Sequence, residues 1–399
     1  MGASAAKWMV KVDLGTNRKK SLQSTTDVEN YTHMGTTNTL VRMRARTSLT
    51  RCGAVLIALA ACVPAMGGIK EVDQAIARYE VAQSEWKARY ANAIDQESKL
   101  QVAQERPNPR LTTQVILKEI AVELSQASSM RAIAWIYQND APFMRKVEHA
   151  QASRAIRNAL VKHHYKQAGA GQLCLTISQA FSPQDMAFLE KVAKLAPYEI
   201  DQGMASLALS TALAELGDDT ELVAKRLQYL RNAIKAIPSE TVVYGRPVTE
   251  EISDQIFIIM NLSKGRVAPA FEGTDIAGNQ VSLAQTRGKV TAIVFWSSED
   301  AMLSTWLPMI GETKKILDKV GGEMIGVYTG ELAPLRDQIA EREVSWTTLV
   351  DRDASVTSQY RMKKMPTIIL LDRYGVIQSV GEPNSLVNLS IQALASSSE

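Results

Sequence analysis

Val290-Thr291-Ala292-Ile293-Val294-Phe295-Trp296 is an unbroken run of β-branched, small and aromatic residues. It lacks the polar alternation of a strand with one wet face, so as a strand it belongs in the middle of a sheet covered on both sides. Glu323–Tyr328 and Thr367–Leu371 read as two further buried strands, with helical patterns over about 300–320 and 333–342 between them. Tyr374-Gly375 is a turn into Val376–Val380, and Leu386–Leu394 is a last helix. Strands that alternate with helices and close on a hairpin predict an α/β domain over 263–399, a central mixed sheet flanked by helices.

Upstream the period changes. Apolar residues recur at threes and fours, which predicts an all-α domain over 69–262, roughly six amphipathic helices packed antiparallel. Val72, Ile76, Tyr79, Trp86, Tyr90 and Ile94 form the stripe of one run from Ile69 to Arg106, ended by Pro107 and Pro109. Val115, Ile116, Ile120 and Leu124 point inward in a second, which Ala132, Trp135 and Ile136 extend to Asn139. A third runs from Pro142 to Gln167 and stops at Gly169-Ala170-Gly171. That triplet reads as a helix C-cap and turn, because a phosphate loop needs a flanking strand and more glycines. Ser182-Pro183-Gln184-Asp185 has the form of an N-cap, a first-turn proline and a returning acid, with Phe188, Leu189, Val192 and Leu195 behind it. Leu207, Leu209, Leu213 and Leu216 follow in a helix closed by Gly217, then Leu222, Leu227, Leu230, Ile234 and Ile237 in one ending at Pro238. No fixed repeat period runs through them.

The net charge of +3 is unevenly placed: residues 1–68 hold nine Lys/Arg against three Asp/Glu, and the rest of the chain 36 against 39. No folded part carries the basic surface of a nucleic-acid binder. The cysteines are Cys52, Cys62 and Cys174, so the body from 69 onward has one thiol and no intramolecular disulfide. Flanked by Leu173 and Leu175, Cys174 reads as a small buried hydrophobe. The histidines, His33, His149, His163 and His164, show neither a His-Glu-x-x-His pattern nor a nearby cysteine cluster, so neither a metal nor a cofactor is expected. His163 and His164 read as a solvated helix end.

Residues 43–68 have the order of an export signal: Arg44, Arg46 and Arg51, an apolar stretch from Cys52 to Val63, then Pro64, Met66, Gly67 and Gly68. The apolar stretch is short for a membrane span. Leu59-Ala60-Ala61-Cys62 resembles a bacterial lipobox, whose cysteine is lipidated; the competing reading is a cut after Val63-Pro64-Ala65, and a third is an uncleaved anchor. Each predicts a protein exported to the periplasm or cell envelope, touching the membrane only through such an anchor. Residues 1–42 are polar and aperiodic, and Met43 stands where such a signal should begin, so 1–42 are expected to be a non-native or disordered extension.

The last third carries a resemblance. Gly265-Arg266-Val267-Ala268-Pro269-Ala270-Phe271, then Asp275, Gly278 and Val281-Ser282-Leu283, then Arg287-Gly288-Lys289-Val290 and Phe295-Trp296 fall in one order. Asp351-Arg352-Asp353, Tyr360, Met365-Pro366-Thr367, Leu371-Asp372 and Gly375-Val376-Ile377 continue it. The whole resembles the TlpA-like, redoxin (AhpC/TSA-type) branch of the thioredoxin-fold proteins. Residues 69–262 more loosely resemble the helical region fused ahead of redoxin domains in bacterial exported proteins. The resemblance implies a Trp-Cys-x-x-Cys after the first core strand, where this chain reads Trp296-Ser297-Ser298-Glu299-Asp300-Ala301-Met302-Leu303. Pro308 sets the register as the family's helix-kinking proline, which places Asp300 and Leu303 at the two cysteine positions. It also implies a cis Pro366, with Trp296, Met365 and Thr367 beside it around a groove for an extended peptide.

A thiolate at a helix N-terminus attacks a disulfide and a second thiol resolves it; a carboxylate and an isobutyl group do neither. Asp300 is instead suited to cap the helix. No histidine follows His164, so Ser297 and Ser298 cannot join a Ser-His-Asp triad in this domain, and Glu299 and Asp300 are adjacent rather than spaced as an acid/base pair. Three functions remain open. The first is a non-catalytic envelope module holding an extended segment of another envelope protein. The second is a thiol–disulfide oxidoreductase acting through Cys174. The third is a helical scaffold that carries the function, with the thioredoxin fold as a cap or dimerisation unit.

Overall fold

The computed structural model describes residues 69–93, 96–300 and 303–396. The leader, with Cys62 and its expected lipidation, lies outside the described residues.

The first helical run divides. Helix α1 (Lys70–Asn92) stops at an extended Ala93, and α2 (Gln96–Gln104) follows. The Trp86 indole N–H donates to the Val102 carbonyl at 2.7 Å and Arg89 pairs with Glu105, so α2 folds back on α1. One straight helix would hold residues 16 apart at about 24 Å. Pro109 opens a helix rather than ending one: it is the first residue of α3 (Pro109–Ile120), behind an Asn108 side chain that accepts from the Arg110 amide. Turns then separate α3 from α4 (Ser129–Asn139), and Val115, expected inward, is exposed.

The third run breaks into α5 (Ala141–Arg145) and α6 (Ala150–Lys162). Gly169-Ala170-Gly171 begins a helix, α7 (Ala170–Ser178), with Gly169 left-handed at φ +85°. The Ser182/Asp185 capping box forms as read and leads into α8 (Met186–Leu195). Helices α9 (Glu199–Ala214) and α10 (Thr220–Ala236) complete the layer. Leu195, Leu216 and Ile234, assigned to inner stripes, are exposed. A two-residue hairpin, β1 (Val242–Val243) with β2 (Arg246–Pro247), leads into α11 (Val248–Asn261). Ile252 and Ile259 of α11 enter the helical core, while Phe257 and Ile258 pack on the core of the following sheet domain.

His164 corrects the solvated reading. It is fully buried, its Nε2–H donating to the Leu124 carbonyl at 2.6 Å. Burial pushes its pKa below the usual 6.5; the Leu124 bond opposes this and the neighbouring His163 adds to it. The unfolded chain therefore takes up a proton in a range where the folded chain does not. Stability is full above the unfolded value and declines as pH falls through it toward the folded one. Denaturant midpoints should drop between about pH 7.5 and 5.5, and His164→Gln should flatten that dependence. Equal slopes in the two proteins would clear His164 of the effect.

The sheet domain has the expected architecture. A hairpin of β3 (Glu272–Thr274) and β4 (Gln280–Ser282) precedes the central strand β5 (Thr291–Ser297). Then come α12 (Leu303–Lys319), β6 (Glu323–Thr329), α13 (Leu332–Ala340), β7 (Thr347–Val350), α14 (Ser355–Gln359), β8 (Thr367–Leu371), β9 (Ile377–Gly381) and α15 (Ser385–Ser396). The sheet order is β7-β6-β5-β8-β9. β5 runs parallel to β6 and antiparallel to β8, which makes this a mixed, thioredoxin-like sheet. Ala292, Val294 and Trp296 face a core shared with Leu307 and Ile310 of α12 and Ile391 of α15. Ile293 and Phe295 face the other, with Val356, Tyr360 and Leu262. Both faces of β5 are thus covered, as its unbroken apolar run requires. Strand β7 and helix α14 are short elements that the hydrophobic pattern does not single out.

Candidate functional site

The register of β5 assembles the site. Ser297 pairs with Thr329 of β6, and Phe295 with Thr367 of β8. The ends of β5 and β6 and the start of β8 therefore meet at one edge, the edge where open α/β sheets present ligand-binding crevices. Pro366 immediately precedes β8, and the Met365–Pro366 bond is cis, as the resemblance implies. Thr329 Oγ1 lies 3.5 Å from Met365 Sδ, which ties the two loops together.

The turn after β5 is held by hydroxyls. The Glu299 amide donates to Ser297 Oγ at 3.2 Å. Tyr328 Oη lies 2.6 Å from Ser298 Oγ and 2.5 Å from the Glu331 carbonyl oxygen. The carbonyl can only accept, so the phenol donates to it and receives the Ser298 proton. Burial raises the Tyr328 pKa above its usual 10, with the Ser298 bond opposing and the charges of Glu299 and Glu331 adding. The phenol is therefore neutral at physiological pH.

Asp300 and Leu303, which the resemblance sets at the two cysteine positions, stand one turn apart. The Leu303 amide donates to the Asp300 carbonyl at 3.1 Å, and both residues are half-buried. Ala301 and Met302 between them lie outside the described residues. Pro308 falls inside α12, five residues after Leu303.

The groove residues expected from the resemblance are not all at a surface. Trp296 is fully buried, in edge contact with the rings of Tyr328 and Trp346. Its indole closes over Gly326, where an added Cβ would lie 3.0 Å from the indole nitrogen. Alternation along β5 turns Trp296 to the same core as Val294, which is why it cannot line a groove. Pro366 is buried, and so is Thr367, whose hydroxyl donates to the Lys364 carbonyl at 2.8 Å. Met365 is half-exposed and presents the loop's side-chain surface.

Cys174 is far from this chemistry in character. It has no exposed surface, and burial together with the Asp201 charge pushes its thiol pKa well up. Among the described residues no three His, Cys, Asp or Glu side chains are placed to hold a metal, and no helix is long and apolar enough to cross a membrane.

The AhpC/TSA family matches residues 264–380. A thiol-disulfide oxidoreductase ResA of Geobacillus kaustophilus is 29% identical over 117 residues, covering 29% of this chain and 67% of the relative. Its counterpart in Geobacillus thermodenitrificans is 28% identical over 117 residues, with the same coverage. The solved thioredoxin domain of a thiol-disulfide oxidoreductase from Bacteroides vulgatus is 25% identical, covering 34% of this chain and 99% of that one, with a TM-score of 0.32. The C-terminal domain is a thioredoxin-fold redoxin domain.

Proposed function

We propose that the redoxin domain binds an extended segment of another cell-envelope protein and performs no thiol chemistry. What supports this reading is the sequence after β5, where the register of the resemblance sets Asp300 and Leu303 at the cysteine positions, together with a Met365-Pro366 loop that flanks the same strand end. The activity in the relatives' names requires an accessible thiolate. The one thiol after residue 68 is Cys174, which is sealed in the helical core with a raised pKa. That opposes a reading in which Cys174 acts as nucleophile. The basic, apolar and small-residue order of 43–68 supports export, with Cys62 the residue a lipid anchor would use.

Residues 69–399 and their Cys174→Ser variant, assayed for insulin reduction with a chemical reductant, should both show no turnover above background. Turnover that disappears in Cys174→Ser would overturn the reading and make that thiol the nucleophile. The binding half is tested by a photocrosslinking residue at the exposed Glu299, with one at the exposed Arg373 as control. Adducts specific to position 299 support a partner at this edge; identical adduct patterns at both positions dismiss it.

A further inference from the structure

The loop that leads into Pro366 is gripped from the helical layer. Glu251 of α11 is only 4% exposed, and its carboxylate accepts from four groups. Gln255 Nε2 lies 2.9 Å from Oε1, and Arg246 Nε lies 2.8 Å from Oε2, with the Arg246 Nη2 on the same oxygen. The fourth donor comes from the other domain: Lys363 Nζ is 2.9 Å from Oε2 and 3.2 Å from Oε1. One helical turn on, Asp254 Oδ1 is 2.8 Å from Arg361 Nε, and the Arg361 guanidinium lies over the Phe257 ring at 4.6 Å. Lys364 reaches Glu215 at 3.4 Å.

We infer that α11 sets the position of the cis-proline loop, with Glu251 and Asp254 holding Lys363 and Arg361, so that the edge around Met365 is built jointly by the helical layer and the redoxin fold. Glu251 is itself fixed from behind. Gln255 binds it with one end while its carbonyl oxygen accepts from Ser210 Oγ at 2.8 Å, and its amide nitrogen lies 3.0 Å from Thr211 Oγ1. A buried carboxylate tied into such a network has one favourable place, and whatever pairs with it is placed too.

The loop needs external support. Arg361 has φ +52°, a left-handed conformation disfavoured for a side-chain-bearing residue. Met362 and Met365 pack on the sheet core from within, and the cations at 361 and 363 form ion pairs with α11 from without. Five consecutive residues are therefore clamped between two bodies. Phe257 and Ile258 of α11 pack on that same core, so the helix and the loop share one apolar floor. Glu251 and Asp254 are positioning residues for an edge they do not themselves touch.

The test is hydrogen exchange by mass spectrometry on the full chain without any partner, so its failure is distinct from failure of the binding reading on which the importance of this edge rests. The amides of Arg361 and Met362 donate to the Ser358 and Thr357 carbonyls and report on the loop. In Glu251→Gln, peptides over 360–366 should exchange about tenfold faster while β5 keeps its protection. Because that variant also strips a partner from Arg246, the grip is tested from the opposite side by Arg361→Gln with Lys363→Gln, which leaves the Arg246 and Gln255 contacts of Glu251 in place. That pair should accelerate the same peptides. A carboxylate serving only the helical layer would change exchange in α9 and α11 and nowhere beyond. Loop exchange at the wild-type rate in both variants overturns the inference.

Discussion

Asp300→Cys combined with Leu303→Cys is expected to give a chain that reduces insulin at least about tenfold faster than the chemical reductant alone. The backbone around residues 297–303 supports that expectation. β5 delivers the chain to the site, the Asp300 amide reaches back to the Ser297 carbonyl, and the Leu303 amide closes on the Asp300 carbonyl. A thiol at 300 would stand just before α12, where the helix N-terminus favours its anion. A thiol at 303, half-buried against the sheet core, would stay protonated until called on as the resolving group. The neutral Tyr328 phenol adds no charge to this edge. Asp300→Cys alone should therefore trap a mixed disulfide, visible by mass, without turnover. A double variant that forms its internal disulfide yet reduces nothing would mean that the edge does not admit a substrate chain, and would count against the proposed binding.

How much of this could be read from residues alone depended on how many masters each segment serves. β5, β6 and β8 are apolar on both sides because both their faces meet helices, and such runs announce themselves. Helix α11 does not. Ile252 and Ile259 serve the helical core while Phe257 and Ile258 serve the sheet core, so Ile256-Phe257-Ile258-Ile259-Met260 becomes nearly continuous and loses a helical period. The same double duty hid Glu251, whose partner Lys363 lies 112 residues away. The break at Ala93 carries neither glycine nor proline, so nothing local marks it; the contact of Trp86 with Val102 decides it. His164 sits next to an ordinary His163, and only the fold buries one of the pair. Of the site itself, the positions of Asp300, Leu303 and Pro366 came from the resemblance. The hydroxyl network of Ser298 and Tyr328 joins residues 30 apart, and strand pairing alone brings them together. Trp296 was placed in the groove by its motif, and the pleat of β5 turned it inward.

Gly171→Ala is expected to be the most damaging single-methyl change in the helical layer, costing about 3 kcal/mol or more. A Cβ there would lie 2.6 Å from both the Asp201 Cα and carbonyl oxygen and 2.8 Å from the Met204 Cβ. Two of those atoms are backbone of α9, so no side-chain rotation relieves the overlap, and α7 and α9 must part. Parting them also loosens an electrostatic seal. The Gly171 amide donates to Asp201 Oδ1 at 3.0 Å and the Gly169 amide to Oδ2 at 3.2 Å, satisfying donors that the start of α7 leaves without partners. Burial raises the Asp201 pKa and those two amides oppose it, so a carboxylate that lost them would be buried at greater cost. Leu173, Cys174 and Leu175 lie within the next turn, packed with Leu207 and Ala208 of α9 in one core. Gly311→Ala is the control. It adds the same methyl inside α12, where nothing lies within 4 Å, and should stabilise by about 0.5–1 kcal/mol through lost freedom in the unfolded chain. Since each kcal/mol moves the midpoint of a domain of this size by about 2–4 °C, thermal unfolding should fall by roughly 6–12 °C in the first variant and rise slightly in the second. A Gly171→Ala protein that melts with the wild type would show that α7 and α9 can separate freely, and Cys174 would then no longer be secured against reagents by that packing.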